Sequence, residues 1–319
     1  MGRRRSLGRV AAAAALLLVV PAAKAPTAFD PVRLERELRT EPGVLGVLVE
    51  RNDRLLFERY YHGSSANAQL GVFSITKSVT STLIGIALAE GKLGGLDERL
   101  GHFFPKEVHA ASDRRVRKIT LRQLLTMTAG YALEPATRSD HWVQTLIQRP
   151  LTTDPGRRFS YDGGSYHLLS AVLAKATGMS TKRFADRVLF GPLDIRVSHW
   201  DSDHEGYNLG DTGLRLRARD LLRFGEFYLH HGRWRGRRLL PSGYERDATR
   251  WHSGLGGIGY GYGWWILANR RPTAFAALGY GGQAIAVFPS LRAVVVIQGG
   301  GDDRERVLYR LVLPELLKP

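Results

Sequence analysis

The sequence predicts an α/β chain in which strands from both ends form one unit and a helical lobe is inserted between them. Three observations predict it. Extended signals cluster at Gly46–Tyr61 and return from Tyr260 onward. The stretch from about Gly94 to Arg238 is mostly helical in its apolar spacing. No internal repeat or low-complexity linker separates these regions, so both termini and the middle belong to one body. The composition agrees: 319 residues, 44% hydrophobic and 24% charged, are enough for a large core and exclude a disordered or fibrous chain.

The elements can be justified in order. Arg3, Arg4, Arg5 and Arg9 precede an apolar run from Val10 to Val20, and Ala23-Lys24-Ala25 follows. A basic start, a short apolar run and a small-residue site are the parts of an export signal. The run is shorter than the ~20 residues that span a bilayer. Residues 1–25 are therefore read as a signal peptide with cleavage near Ala25. The expected location is periplasmic or secreted, with no stable membrane span after cleavage and an uncleaved N-terminal anchor as the alternative. Residues 1–25 hold five of the 46 basic side chains and no acid, which leaves net +11 for the remainder.

In GVLVERNDRLLFERYY, Asn52-Asp53 separates two partly alternating runs, a hairpin signal. Val72–Leu93 has helical spacing and Gly91 as a stop. Thr120 is a good N-cap for the helix that follows it. Tyr166–Thr177 and Asp220–His230 read as helices closed by Gly178 and Gly232. YGYGWWIL, AFAALGYG, QAIAVFP and AVVVIQ read as strands, and Arg304–Leu317 as a terminal helix. The α/β part then covers about 30–95 and 255–319, and the helical lobe about 96–254.

Composition and failed motifs exclude several chemistries. The chain has no cysteine, which removes disulfides, thiolate zinc sites, iron–sulfur clusters and a cysteine nucleophile. Gly254–Gly259 matches G-x-G-x-x-G but follows no strand and opens no helix, so it is not a dinucleotide site. Gly71–Ser78 resembles a phosphate-binding loop, but Thr76 stands where the second glycine belongs. Asp201, Asp203, His204 and Glu205 lack metal-ligand spacing and read as a surface loop. The basic run at Arg233–Arg238 holds only one aromatic, Trp234, and is read as solvated surface. Neither a metal, a cofactor nor a nucleic-acid partner is expected.

What survives is Ser74-Ile75-Thr76-Lys77. A serine at the first turn of a helix sits among free backbone N–H groups at the positive end of the dipole. A lysine three residues on lies one turn away on the same face. Lys77 falls inside SITKSVTSTLIGIALA, where it is the sole charge. Desolvation there favours the neutral amine, which can take the serine proton. The plainer alternative is a helix start with a solvent-facing lysine.

VFSITKSVTSTLIGIALAEGKL and ITLRQLLTMTAGY resemble the serine β-lactamase and penicillin-binding-protein superfamily, in its class C-like branch. PGRRFSYDGGSYHLLSAVLAKATG, DTGLRLRARDLLRFGEFYLHHGRW and LGYGGQAIAVFPSLRAVVV resemble the same branch, so the likeness covers most of the chain. That branch includes carboxypeptidases, β-lactamases, esterases and 6-aminohexanoate-dimer hydrolases. The resemblance implies a β-lactamase/transpeptidase-like fold, α/β (α+β) in class: an antiparallel sheet flanked by helices, with the helical lobe inserted. It implies Ser74 as nucleophile and Lys77 as its base. Tyr161 matches the tyrosine of the Y-x-N motif and, as phenolate or bonded to Lys77, would pass a proton to the leaving group. The motif's asparagine is Gly163 here, and the K-T-G motif aligns with Tyr280-Gly281-Gly282, so its cation is gone. The two glycines would let an edge strand approach the substrate, with Gln283 N–H and Ser74 N–H as the oxyanion hole. Read alone, Tyr161 is a core aromatic and Gly281-Gly282 a turn.

The implied function is a secreted serine hydrolase that cleaves a small ester, amide or β-lactam-like substrate. D-Ala-D-Ala carboxypeptidase or class C-type β-lactamase activity is the alternative. An inactive binding or sensor module on the same fold is the rival from another class. Arg157, Arg158 and the arginines of 215–219 are candidates to replace the missing cation.

Overall fold

The computed structural model describes residues 28–132, 139–299, 301 and 304–318. The export signal assigned to residues 1–25 lies outside them. Among the described residues no helix is long and apolar enough to cross a membrane.

The centre is an eight-stranded antiparallel sheet. Its order is Arg54–Tyr60, Val44–Arg51, Ala293–Gly299, Ala284–Phe288, Ala274–Leu278, Trp265–Leu267, Ile258–Tyr260 and Ser253–Leu255. The N-terminal hairpin thus docks on the last strand of the chain, with Val47 opposite Ile297 and Val49 opposite Val295. Asn52 and Asp53, at φ 53° and 60°, form its turn. Both have the positive φ that such a two-residue connection requires.

Strand Ala293–Gly299 is buried on both faces. Its side chains alternate: Val294 and Val296 join a core under the helical side, while Val295 and Ile297 join a second core. The second core is closed by Leu34 and Leu38 of helix Pro31–Leu38 and by Val307, Val312 and Leu316 near the C-terminus. The first is closed by helix Ala218–Leu229, which lies directly on the sheet. Gly225 allows that approach, because a Cβ there would meet Val294 Cγ1 at 2.5 Å. The helical lobe assigned from sequence to about 96–254 therefore gives this helix to the sheet layer. Helices Leu121–Leu125, Trp142–Ile147 and Gly163–Thr177 remain in the lobe.

Several local readings hold. Thr120 caps its helix in a box with Gln123. Gly178 ends helix Gly163–Thr177 at φ 67°. The glycine-rich 254–259 segment is a β-hairpin turning on Gly256 and Gly257, and its two strands extend the sheet further back in sequence than Tyr260. The acidic 201–205 stretch is the expected surface loop at Asp201, His204 and Glu205, which are exposed, and departs from it at Asp203. Asp203 is inside, bonded to the buried ring of His167 at 2.8 Å, and Glu205 accepts from the Val143 N–H. A polar run looks solvated in sequence, yet here it ties the 197–214 connection to helix Gly163–Thr177.

Glu50, on the helical face of the sheet, is 8% exposed. Burial, reinforced by the neighbouring Glu226 carboxyl, pushes its pKa up to about 9. The folded state therefore holds a proton that the unfolded chain releases near pH 4.5. The associated stability is complete below that value and is lost as pH rises toward 9. The melting temperature should fall between pH 5 and pH 9, and Glu50→Gln should flatten the fall. Thermal melts across that range check this; an unchanged slope in the variant would refute the assignment.

Candidate active site

Helix Ile75–Ala89 is buried on nearly every side, and Ser74 stands at its N-terminus. Such a helix must satisfy its polar side chains internally. Ser78 Oγ donates to the Gly263 carbonyl at 2.6 Å, Thr80 Oγ1 to the Gly210 carbonyl at 2.8 Å, and Thr82 Oγ1 to the Ser78 carbonyl at 2.8 Å. Ser81 and Tyr244 hydroxyls pair at 3.2 Å. The bonds of Ser78, Thr80 and Ser81 anchor the helix to the loop before strand Trp265–Leu267, to the 208–214 segment and to Tyr244.

Lys77 is 3% exposed. Its Nζ donates to Ser74 Oγ at 3.1 Å and to the Asp211 carbonyl at 3.0 Å. The solvent-facing alternative for this lysine is therefore excluded. The same Nζ stands 5.2 Å from the centroid of the Tyr161 ring. The three residues singled out from sequence thus meet. The contact with Tyr161 is with the ring face, a cation–π geometry.

Tyr161 is half-buried. It stacks on Trp265 with centroids 5.3 Å apart and meets Tyr260 edge-on at 6.0 Å. It is neither a core aromatic nor free. Its neighbour Asp162 caps helix Gly163–Thr177, accepting from the N–H groups of Gly164 and Ser165. Arg149 grips Asp162 with both guanidinium nitrogens, at 2.9 and 3.0 Å. Burial alone would raise the Asp162 carboxyl, but the bonds from Arg149 and Ser165 hold it below the ordinary carboxylate range. Cap and clamp together fix the backbone that carries Tyr161.

The third segment departs from the expected edge strand. Tyr280–Gly282 is a tight turn between strands Ala274–Leu278 and Ala284–Phe288, both inside the sheet. Gly281 and Gly282 have φ 71° and 86°. Chain reversal between interior strands is the reason a turn stands there. It still reaches the nucleophile: a Cβ on Gly279 would lie 2.3 Å from the Val72 carbonyl oxygen, so the turn's start rests against the residues just before Ser74. Gln283, at the head of the next strand, is buried. Tyr280 is 80% exposed and touches Phe73 edge-on at 5.6 Å, making a rim. Trp264 is buried core, whereas Trp265 reaches Tyr161.

Sequence reasoning missed three residues. Phe73 holds φ 48°, a left-handed conformation rarely adopted by a bulky residue, immediately before Ser74. Arg304 Nη1 donates to the Gly279 carbonyl at 3.0 Å, which puts a guanidinium beside the turn where the family's cation is absent. Of the sequence candidates, Arg217 is bound to Asp220 and Arg219 to Glu58. The third is Asp211, whose Oδ2 lies 3.8 Å from Lys77 Nζ. No sequence spacing links position 211 to 77; only the 208–214 segment crossing the nucleophile helix does.

A family model described as Beta-lactamase matches residues 32–312. The 6-aminohexanoate-dimer hydrolase of Paenarthrobacter ureafaciens is 23% identical over 279 residues, 78% of this chain and 70% of that protein. A fimbrial assembly protein of Dichelobacter nodosus, FimD of serogroup H1, is 33% identical over 130 residues, and that match spans 38% of this chain and 32% of its own length. A Bacillus anthracis protein assigned as a 6-aminohexanoate-dimer hydrolase superimposes with a TM-score of 0.75 at 22% identity, covering 92% of this chain and 87% of that one.

The Arg149–Asp162 pair is nearly buried, at 10% and 5% side-chain exposure. Arg149→Met should cost about 3–5 kcal/mol, because it strands a buried carboxylate. Adding Asp162→Asn should restore part of that. Urea unfolding of the three proteins measures it; a single variant within about 1 kcal/mol of wild type contradicts the clamp.

Proposed function

The chain belongs to the Beta-lactamase family, and on that premise we propose that it is a serine hydrolase that cleaves an ester or amide through a Ser74 acyl-enzyme. Members of this family are serine hydrolases. The observation that carries the reading is the buried Lys77 Nζ within 3.1 Å of Ser74 Oγ. A nucleophile and a desolvated base in hydrogen-bond contact are what acyl transfer requires.

In the first half-reaction Ser74 Oγ bonds to the substrate carbonyl carbon and its proton passes to Lys77 Nζ. The electron pair moved onto the carbonyl oxygen is held by the backbone N–H groups of Ser74 and Gln283. Collapse restores the carbonyl and breaks the bond to the leaving group, which receives the proton by way of Tyr161. Water then attacks the ester carbon, its proton follows the same route back to Ser74 Oγ, and the acid is released. Export to the periplasm or medium is part of the proposal and rests on residues 1–25 alone.

The substrate follows from two departures in the motifs. Tyr280 replaces the cation that draws in a β-lactam carboxylate, and Gly163 removes an amide donor. A charge-assisted bond is worth about 1.5–3 kcal/mol, roughly ten- to hundredfold in rate when used in the transition state. A neutral ester never depends on either contact. Similarity to a 6-aminohexanoate-dimer hydrolase supports a non-lactam substrate.

A fluorophosphonate probe should label wild type and leave Ser74→Ala unlabelled. Absence of labelling together with no hydrolysis of p-nitrophenyl butyrate is the result predicted by an inactive binding module. On one preparation, kcat/KM for p-nitrophenyl butyrate should exceed that for nitrocefin by about tenfold or more. The reverse order restores the β-lactamase alternative.

A further inference from the structure

Position 163 holds glycine, and the space a side chain would take there is occupied. A Cβ built on Gly163 would lie 2.6 Å from Asp211 Oδ2. The carboxylate of a residue 48 positions later thus fills the place next to Tyr161 where the family's motif carries an amide.

This carboxylate is poorly satisfied. Oδ1 is buried and has no hydrogen-bond partner among the described residues. Oδ2 faces Lys77 Nζ at 3.8 Å, beyond hydrogen-bonding reach. Its side chain is 20% exposed, so it is neither dissolved in water nor sealed in the core. The position is nevertheless fixed. The Asp211 carbonyl accepts from Lys77 Nζ at 3.0 Å, and the preceding Gly210 carbonyl accepts from Thr80 Oγ1 at 2.8 Å. A rigidly held, half-desolvated carboxylate with spare acceptor capacity is costly unless a donor reaches it.

Nζ of Lys77 bridges the two groups, 3.1 Å from Ser74 Oγ and 3.8 Å from Asp211 Oδ2. Oδ2 therefore lies within two contact distances of Ser74 Oγ, a span that a donor on the acyl chain of a substrate held at Ser74 would have to bridge. We propose that Asp211 is a specificity-determining residue that binds an ammonium on the acyl side of the substrate, so that the enzyme takes aminoacyl esters or amides. The inference rests on the serine-hydrolase reading of the same site. A substrate ammonium would share the carboxylate with Lys77 Nζ. An acyl group with a carboxylate at that position is rejected by like charge.

Glycine ethyl ester and ethyl propionate are nearly isosteric, differing in an ammonium against a methyl. At pH 6.5 the amine is protonated, below its ordinary value of about 7.7–8.0. The measurement is hydrolysis by pH-stat, on full-length protein normalised to fluorophosphonate-titrated sites. The kcat/KM ratio of glycine ester to propionate should be about ten or more in wild type and about one in Asp211→Asn. Gly163→Ala, whose methyl displaces the carboxylate, should also lower the ratio, which keeps the test open if the Asn variant does not fold. A wild-type ratio near one with normal labelling overturns the role of Asp211 alone, as does an undiminished ratio in both variants. Loss of wild-type labelling and of both activities overturns the hydrolase reading with it.

Discussion

The structure depends on a helix that has almost no contact with water. Residues 75–87 are buried without interruption, including Thr76, Lys77, Ser78, Thr80, Ser81 and Thr82. A helix of this kind is held against turning about its axis, because Ser78, Thr80, Ser81 and Thr82 each meet a partner on a surrounding element, while Thr76 Oγ1 has none among the described residues. Ser78 holds the loop before strand Trp265–Leu267, Thr80 holds the 208–214 segment, and Ser81 and Thr82 meet Tyr244 and Tyr228. The orientation of Ser74 and Lys77 follows from that fit. A shift of one residue would bury hydroxyls without partners and move the lysine into apolar packing.

The cleft is the place where three backbones come close to the start of this helix. The turn after strand Ala274–Leu278 rests on Val72, the Tyr161 loop is clamped by Arg149 and Asp162, and the Asp211 segment lies over Lys77. Each is fixed by a different force. The turn is held by chain reversal within the sheet, the loop by an ion pair at a helix cap, and the Asp211 segment by hydrogen bonds to side chains of the buried helix. Preorganisation of this sort lets an acyl-transfer site act without rearranging when charge develops.

Electrostatics at the site are local and nearly balanced. Lys77 faces Asp211, and Arg149 faces Asp162, so the chain's large positive charge does not reside at the nucleophile. Burial keeps the phenols of Tyr260 and Tyr166 neutral well above their ordinary range. The rim is built differently, from the exposed ring of Tyr280 against Phe73, with the Arg304 guanidinium bonded to the carbonyl of Gly279.

The sequence by itself determined what local chemistry dictates. An apolar, β-branched run marked strand Ala293–Gly299, Asn52-Asp53 between two partly alternating runs marked the hairpin turn, and Thr120 and Gly178 marked helix ends. Ser74 and Lys77 were legible because one helical turn separates them and no other charge interrupts the apolar run around them. Tyr161 needed the resemblance, since a lone aromatic in a loop does not announce whether it faces core or cleft. Tertiary structure decided the rest. It placed helix Ala218–Leu229 on the sheet, turned Asp203 inward against His167, and put Tyr280–Gly282 in a turn rather than along an edge. It alone brought Asp211 into the space left by Gly163. Side-chain spacing along a chain reports only neighbours within a turn or a pleat. Contacts between residues 77, 163 and 211 arise when separate segments pack, and no local period encodes them.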